Sequence, residues 1–264
     1  MGPAPISPSP DMIPRFSRLV LAFLVFIAGL GHGQEEAKEV PPVGDAPEFA
    51  GKSIDQMTAD EVLKLVRFSY TLFNRDFAGN LLTGITKKVP FLLSLKPESI
   101  RFIFDDPAQI IYLDTRNQRF AMLEGVGGAE MQPVPPARFG EKVRDTDITY
   151  DDLSMRFLYW PNARIVRQEK LKGRDCILLS ISNPDGAGAY SSVDVWIDKL
   201  SGGMLKMIGN DHGGRPIRRF EVLSGKKFGD VWMVDEMRVE SVTGINGGTV
   251  TSSTRMQIKA TVGE

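Results

Sequence analysis

From Ser99 to Thr261 the sequence alternates large apolar and polar residues, and this period of two commits most of the chain to β-sheet. Ile100, Phe102 and Phe104 share one face of a strand over Ser99–Asp105. Gln109–Leu113 and Arg119–Leu123 read as further strands, with a turn at Asp114-Thr115-Arg116-Asn117. Later, Ile177, Leu179 and Ile181 align, as do Val193, Val195 and Ile197. Val231, Met233 and Met237 line up on another strand that Asp235 interrupts, and a final strand runs from Thr249 to Thr261. Between these runs stand Asp185-Gly186, Ser201-Gly202-Gly203, Gly213-Gly214, Phe228-Gly229-Asp230 and Asn246-Gly247-Gly248. Their spacing leaves room for hairpins and not for crossover helices, so the expectation is an antiparallel meander. It should contain about ten or eleven strands, enough to curl or close.

Two helices break the pattern. Thr58-Ala59-Asp60-Glu61 is a capping box, and Val62, Leu65, Val66, Ser69, Leu72 and Phe73 follow at helical spacing, predicting a helix that ends near Asn74–Gly79. Thr149 and Asp152 repeat the cap before Leu153, predicting a short helix that Pro161 ends. Gly125–Pro136, rich in Gly and Pro, reads as a loop.

The N-terminus carries a different signal. Arg15 and Arg18 precede an apolar run, Leu19–Leu30, which is short against the ~20 residues of a membrane span. Gly31 and Gly33 follow, and the stretch predicts a signal peptide over 1–33, cleaved near Gly33. Met12-Ile13-Pro14-Arg15 would itself make an ordinary signal-peptide start. No cysteine stands where a lipid would be attached. Residues 34–52, rich in Glu, Pro, Gly and Ala, read as a flexible leader, leaving 53–264 as the folded domain.

Catalytic chemistry is hard to assemble from what remains. Beyond residue 33 the only histidine is His212, in a turn sequence, and the only cysteine is Cys176, inside an apolar run. One of each cannot build a His- or Cys-rich metal site, and no Gly-x-Ser-x-Gly elbow is present. Gly125-Val126-Gly127-Gly128-Ala129-Glu130 lacks the last glycine of a dinucleotide loop. The pairs Asp105-Asp106 and Asp151-Asp152 read as a strand-end turn and a helix start. A net charge of −1 gives no reason to expect nucleic acid, and no cofactor is expected.

Apolar residues are abundant on both strand faces instead. Ile103 lies opposite Phe102 and Phe104, Trp196 opposite Val195 and Ile197, and Trp232 opposite Met233. Met155, Met204, Met207, Met233, Met237 and Met256 add adaptable apolar surface. The plain reading is a core wrapped around the Thr58 helix; the other is a covering by a lipid chain.

The stretch Asp147–Trp160, with Gly173-Arg174-Asp175-Cys176 and the run Tyr190–Lys199 ending in Trp-Ile-Asp-Lys, resembles the outer-membrane lipoprotein-sorting (LolA-like) family. The order of elements matches from about residue 55 to 260. The resemblance implies a mainly β fold with few helices, a curved antiparallel meander forming an incomplete β-barrel covered by helices. It also implies a periplasmic, non-enzymatic carrier of lipoprotein acyl chains or other lipid, handing cargo between inner- and outer-membrane transport proteins. The expected cavity residues are Leu65, Leu72, Phe91, Phe102, Phe104, Leu113, Trp160, Trp196, Met207 and Trp232. The rival from another class is a cell-envelope interaction module without lipid cargo, and a hydrolase comes third.

Overall fold

The structure, a computed structural model, describes residues 52–71, 74–116, 120–228 and 231–262, without the side chains of 69–71, 231 and 232. The expected signal peptide, most of the leader, Leu72 and the ends of two expected turns lie outside the described residues.

The helix α1 (Ala59–Thr71) opens as its capping box requires. The Thr58 amide donates to Glu61 Oε2 at 2.8 Å, and the Glu61 amide donates to Thr58 Oγ1 at 3.3 Å. It buries Val62, Leu63, Leu65 and Val66 in the main core. The helix does not extend toward Gly79: a strand begins at Arg75.

Among the described residues thirteen strands follow, more than the ten or eleven expected. They are β1 (Arg75–Thr83), β2 (Lys87–Lys96), β3 (Ser99–Phe104), β4 (Gln109–Asp114), β5 (Ala121–Val126) and β6 (Gln132–Pro133), then β7 (Arg164–Leu171), β8 (Arg174–Ser182), β9 (Ser192–Asp198), β10 (Met204–Asn210), β11 (Pro216–Phe228), β12 (Val231–Thr243) and β13 (Thr249–Val262). All belong to one antiparallel sheet in the order β6-β5-β4-β3-β2-β1-β13-β12-β11-β10-β9-β8-β7. Two meanders, β1–β6 and β7–β13, are thus sewn together where the first strand pairs with the last. The sheet is open: β6 and β7 form its margins and do not pair with each other.

The strand β1 escapes a period-two reading because glycine and asparagine interrupt it. Gly79 faces Phe91 across the β1–β2 ladder, and a Cβ at Gly79 would sit 2.5 Å from the Phe91 ring. The glycine lets the aromatic ring lie on the backbone, and the ring covers what the glycine leaves bare. Phe91 then packs on Phe102 and Phe104, with ring centroids at 6.0 and 6.1 Å.

The segment 134–163 joins strands on opposite margins and must therefore cross the sheet. It contributes Phe139, Val143, Ile148, Leu153, Phe157 and Leu158 to the main core. It is pinned to the central strand β13, where the Asp147 amide donates to Thr254 Oγ1 at 2.9 Å. Within it lies α2 (Tyr150–Ser154), capped by Thr149 and Asp152. This helix is stopped by Met155 in the left-handed conformation (φ 45°), six residues before Pro161.

Candidate functional site

An apolar cavity of about 120 Å³ lies where the crossing segment meets the sheet. Its walls come from both meanders. β2 supplies Leu93 and Leu95, β3 Ile100 and Phe102, and the crossing segment Asp152, Leu153 and Met155. β10 and β11 supply Met204 and Val222, β12 Met233, Val234 and Met237, and β13 Met256 and Ile258. Five of the six methionines conspicuous in the sequence meet at this one place. Unbranched thioethers change rotamer at little cost, so such a wall is deformable.

Among the described residues Asp152 is the one ionisable group on the wall, and it is 3 % exposed. Its carboxylate is turned to partners. Oδ2 accepts from the Thr149 amide at 2.8 Å and faces Arg218 Nε at 3.4 Å. Oδ1 accepts from the Tyr190 hydroxyl. Arg218 in turn donates to Ser241 Oγ at 2.7 Å. Burial pushes the Asp152 carboxyl above its ordinary range, and the Arg218 charge opposes that shift. Tyr190 reaches this position because β10 has glycine beneath it: a Cβ at Gly209 would stand 2.6 Å from the ring.

Asp151 is held in the same way on the other side of α2. Arg156 Nε stands 2.5 Å from Asp151 Oδ1, and its guanidinium lies over the rings of Phe139 and Trp160 at 4.8 and 5.1 Å. The Ala189 amide donates to Asp151 Oδ2 at 3.3 Å. Gly188 (φ +79°) lies so close that a Cβ would come within 2.0 Å of that oxygen. Each aspartate is spent on its own arginine, and the pair does not converge on a common cleft. The two aspartates anchor α2, and so position Leu153 and Met155 on the cavity wall.

Of the expected cavity residues, Phe102 is on the wall. Leu113 lines a smaller adjoining pocket. Leu65, Phe91, Phe104, Trp160 and Met207 are buried in the main core away from the cavity surface. Trp196 belongs to a second cluster with Cys176, Leu178, Leu205 and Val222; its indole N–H donates to Glu169 and Lys206 stacks on its ring at 4.6 Å. Leu72 and the Trp232 side chain lie outside the described residues. The sequence reading did not single out Leu93, Leu95, Leu153 or Ile258. Alternation identified the apolar positions but not which face each meander turns inward.

The remaining chemical candidates lie in turns and in the core, away from the cavity wall. His212 is exposed in the β10–β11 turn, and Gly127 and Gly128 form the β5–β6 turn with φ of 62° and 81°. Cys176 is buried, and burial pushes its thiol up to about 11. Native protein should therefore resist iodoacetamide at pH 8, and urea-unfolded protein should gain one adduct in a mass spectrum. Among the described residues no three His, Cys, Asp or Glu side chains are grouped to hold a metal ion, and no helix is long and apolar enough to cross a membrane.

A family model described as "uncharacterized protein" matches residues 130–264, just over half of the chain. The chain belongs to this family. The matched region holds the crossing segment with α2, the whole second meander and, within them, both buried aspartate–arginine pairs. No curated protein matches the chain.

Solved structures define the architecture. A DUF1329 family protein from Desulfovibrio piger superposes with a TM-score of 0.60 at 16% identity, over 77% of this chain and 90% of that one. An outer membrane lipoprotein-sorting protein domain from Vibrio parahaemolyticus gives 0.60 at 17%, over 77% and 91%. A LolA superfamily protein from Nitrosomonas europaea gives 0.55 at 12%, over 78% and 93%. The chain shares its fold with these three structures, a LolA superfamily protein among them, which is the fold that the resemblance at Asp147–Trp160 and Tyr190–Lys199 implied.

Proposed function

We propose that the chain is a non-enzymatic carrier of acyl chains, working in the periplasm after removal of its N-terminal segment. The observation that carries this reading is the methionine-walled cavity between the sheet and the crossing segment, whose single ionisable lining group among the described residues is already paired. A surface of this kind offers burial and no reactive group. Each methylene that enters contributes ~0.8 kcal/mol.

The cavity is small for such a ligand. Pockets for drug-sized molecules run to roughly 300–1,000 Å³, against about 120 Å³ here. The proposal therefore includes expansion: the methionines repack and the α2 segment lifts as a chain enters, with α1 and α2 covering it. Lipoprotein acyl chains, passed between membrane-bound donors and acceptors, are the cargo that the fold relatives suggest. The expected cavity residues carried into this proposal are Phe102 directly, and Leu113 through the adjoining pocket.

A second reading has one observation in its favour. The marginal strand β7 leaves one edge unpaired and exposes Ile165 and Val166 at 45 % and 49 %, which suits addition of a partner's strand.

The deciding experiment is native mass spectrometry of the full chain expressed with secretion, followed by extraction and titration with cis-parinaric acid. Co-purified acyl species and saturable fluorescence are expected for a carrier. A clean apo mass with no fluorescence change would sink the carrier reading and leave the β7 edge as the site to pursue.

A further inference from the structure

The methionines of the cavity wall are not equally sheltered. Met204 and Met233 are buried, whereas Met155, Met237 and Met256 are partly exposed. Met237 and Met256 are direct partners across the β12–β13 ladder, and Met155 stands on the crossing segment at the end of α2. These three thioethers form the part of the wall that solvent reaches, while Met204 and Met233 lie within. Among the described residues one other methionine is partly exposed, Met131 just before β6, and it lies outside the cavity. The described lining residues are apolar apart from Asp152, so no side chain on the wall stands free to donate a hydrogen bond. The Asp152 oxygens are taken up by the Thr149 amide, the Tyr190 hydroxyl and Arg218.

We propose that Met155, Met237 and Met256 are a reversible oxidation site through which a peroxide-class oxidant switches the carrier off. This rests on the carrier reading and adds a control to it. The thioether sulfur attacks one peroxide oxygen, an S–O bond forms and the O–O bond breaks. Sulfur loses two electrons, and the departing hydroxide takes the proton of the transferred oxygen and leaves as water. The product is a methionine sulfoxide, a strong acceptor where the wall was apolar. In the empty protein the sulfoxide oxygens turn to water at the partly exposed rim. With an acyl chain in place they are covered, and the wall holds no donor to pair them. Oxidation therefore weighs on the loaded state far more than on the fold, and affinity falls with that difference. Methionine sulfoxide reductases, drawing on a dithiol, return the thioethers and with them the apolar wall.

The test is cis-parinaric acid titration of the full secreted chain before and after hydrogen peroxide, the oxidant being quenched and removed before the probe is added. Peptide mass mapping locates the oxidised residues. Met155, Met237, Met256 and Met131 should each gain one oxygen before Met204, Met207 and Met233 do. Binding should then weaken by about tenfold or more, the scale of one buried acceptor left without a donor. The cooperative thermal transition should persist, and treatment with methionine sulfoxide reductases A and B plus dithiothreitol should restore binding. The triple variant Met155→Leu, Met237→Leu, Met256→Leu, which conserves volume, should bind like the parent and keep binding after peroxide. Met131→Leu should remain sensitive. Unchanged affinity in protein mapped as oxidised at all three positions would overturn the switch and leave the carrier reading intact. So would oxidation of Met131 with the three cavity methionines still reduced, or loss of the thermal transition together with binding. If the probe does not bind before oxidation, the carrier reading falls and this inference with it. Mapping and reductase rescue on the unaltered chain decide even where the triple variant fails to fold.

Discussion

Replacing Arg218 with Met is expected to lower the free energy of unfolding by about 3–5 kcal/mol, because it strands a buried carboxylate. Asp152 is 3 % exposed, and Arg218 is the charge that opposes its burial. Without the arginine, the Tyr190 hydroxyl and the Thr149 amide remain as donors, and the carboxyl is driven further toward its neutral form. The sign of the pH dependence follows. A carboxyl whose pKa is raised on folding contributes stability below its unfolded value, and that contribution is lost as pH rises through the folded value. The deficit of Arg218→Met should therefore be larger at pH 8 than at pH 5 in urea denaturation. The double replacement Arg218→Met with Asp152→Leu should recover most of the loss, since an apolar pair of similar volume no longer carries an unpaired charge. A single variant within about 0.5 kcal/mol of the parent at pH 8 would show that the pair is solvated and does not anchor α2.

Leu93→Trp is expected to weaken acyl-chain binding by at least tenfold, which is about 1.4 kcal/mol and corresponds to excluding about two methylenes at ~0.8 kcal/mol each. Leu93 is 8 % exposed and stands on the wall of a cavity of about 120 Å³, so the indole has space to enter. Filling a void replaces missing contacts, so stability should change by less than about 1 kcal/mol or rise. The control is Val166→Trp on the exposed margin, which should leave parinaric acid fluorescence untouched. Loss of binding in both variants, or in neither, would count against the cavity as the site.

The parts of this molecule that are legible in the sequence are those whose causes lie within a few residues. Thr58 with Glu61 and Thr149 with Asp152 announce their helices because a cap is a contact between neighbours three apart. The strands β3, β8 and β9 announce themselves because one face is apolar at every second position. β1 does not, because Gly79 is chosen by Phe91, a residue on another strand. Pro161 is the strongest helix breaker after α2, but a left-handed Met155 ends that helix first, and nothing about methionine advertises that conformation. The methionines were visible as a class, whereas their meeting point depends on two meanders being joined edge to edge. The pairing of Asp152 with Arg218 spans 66 positions and has no local signature at all. Which wall a strand presents is decided by register across the β1–β13 seam, so Trp196 and Met233 cannot be told apart by alternation alone.

That seam also orders events in time. β1 pairs with β13 along Asp76–Thr83 and Thr254–Val262, residues close to 180 positions apart. On a ribosome, the first meander is complete long before its neighbour exists, and β1 waits with one edge bare until the final strand has been made. Closing so long a loop is slow, and contacts of such separation dominate the folding rate of sheet proteins. The central strands of this sheet are therefore among the last to be joined, and the chain stays unfinished, and threadable, until its last turn has emerged.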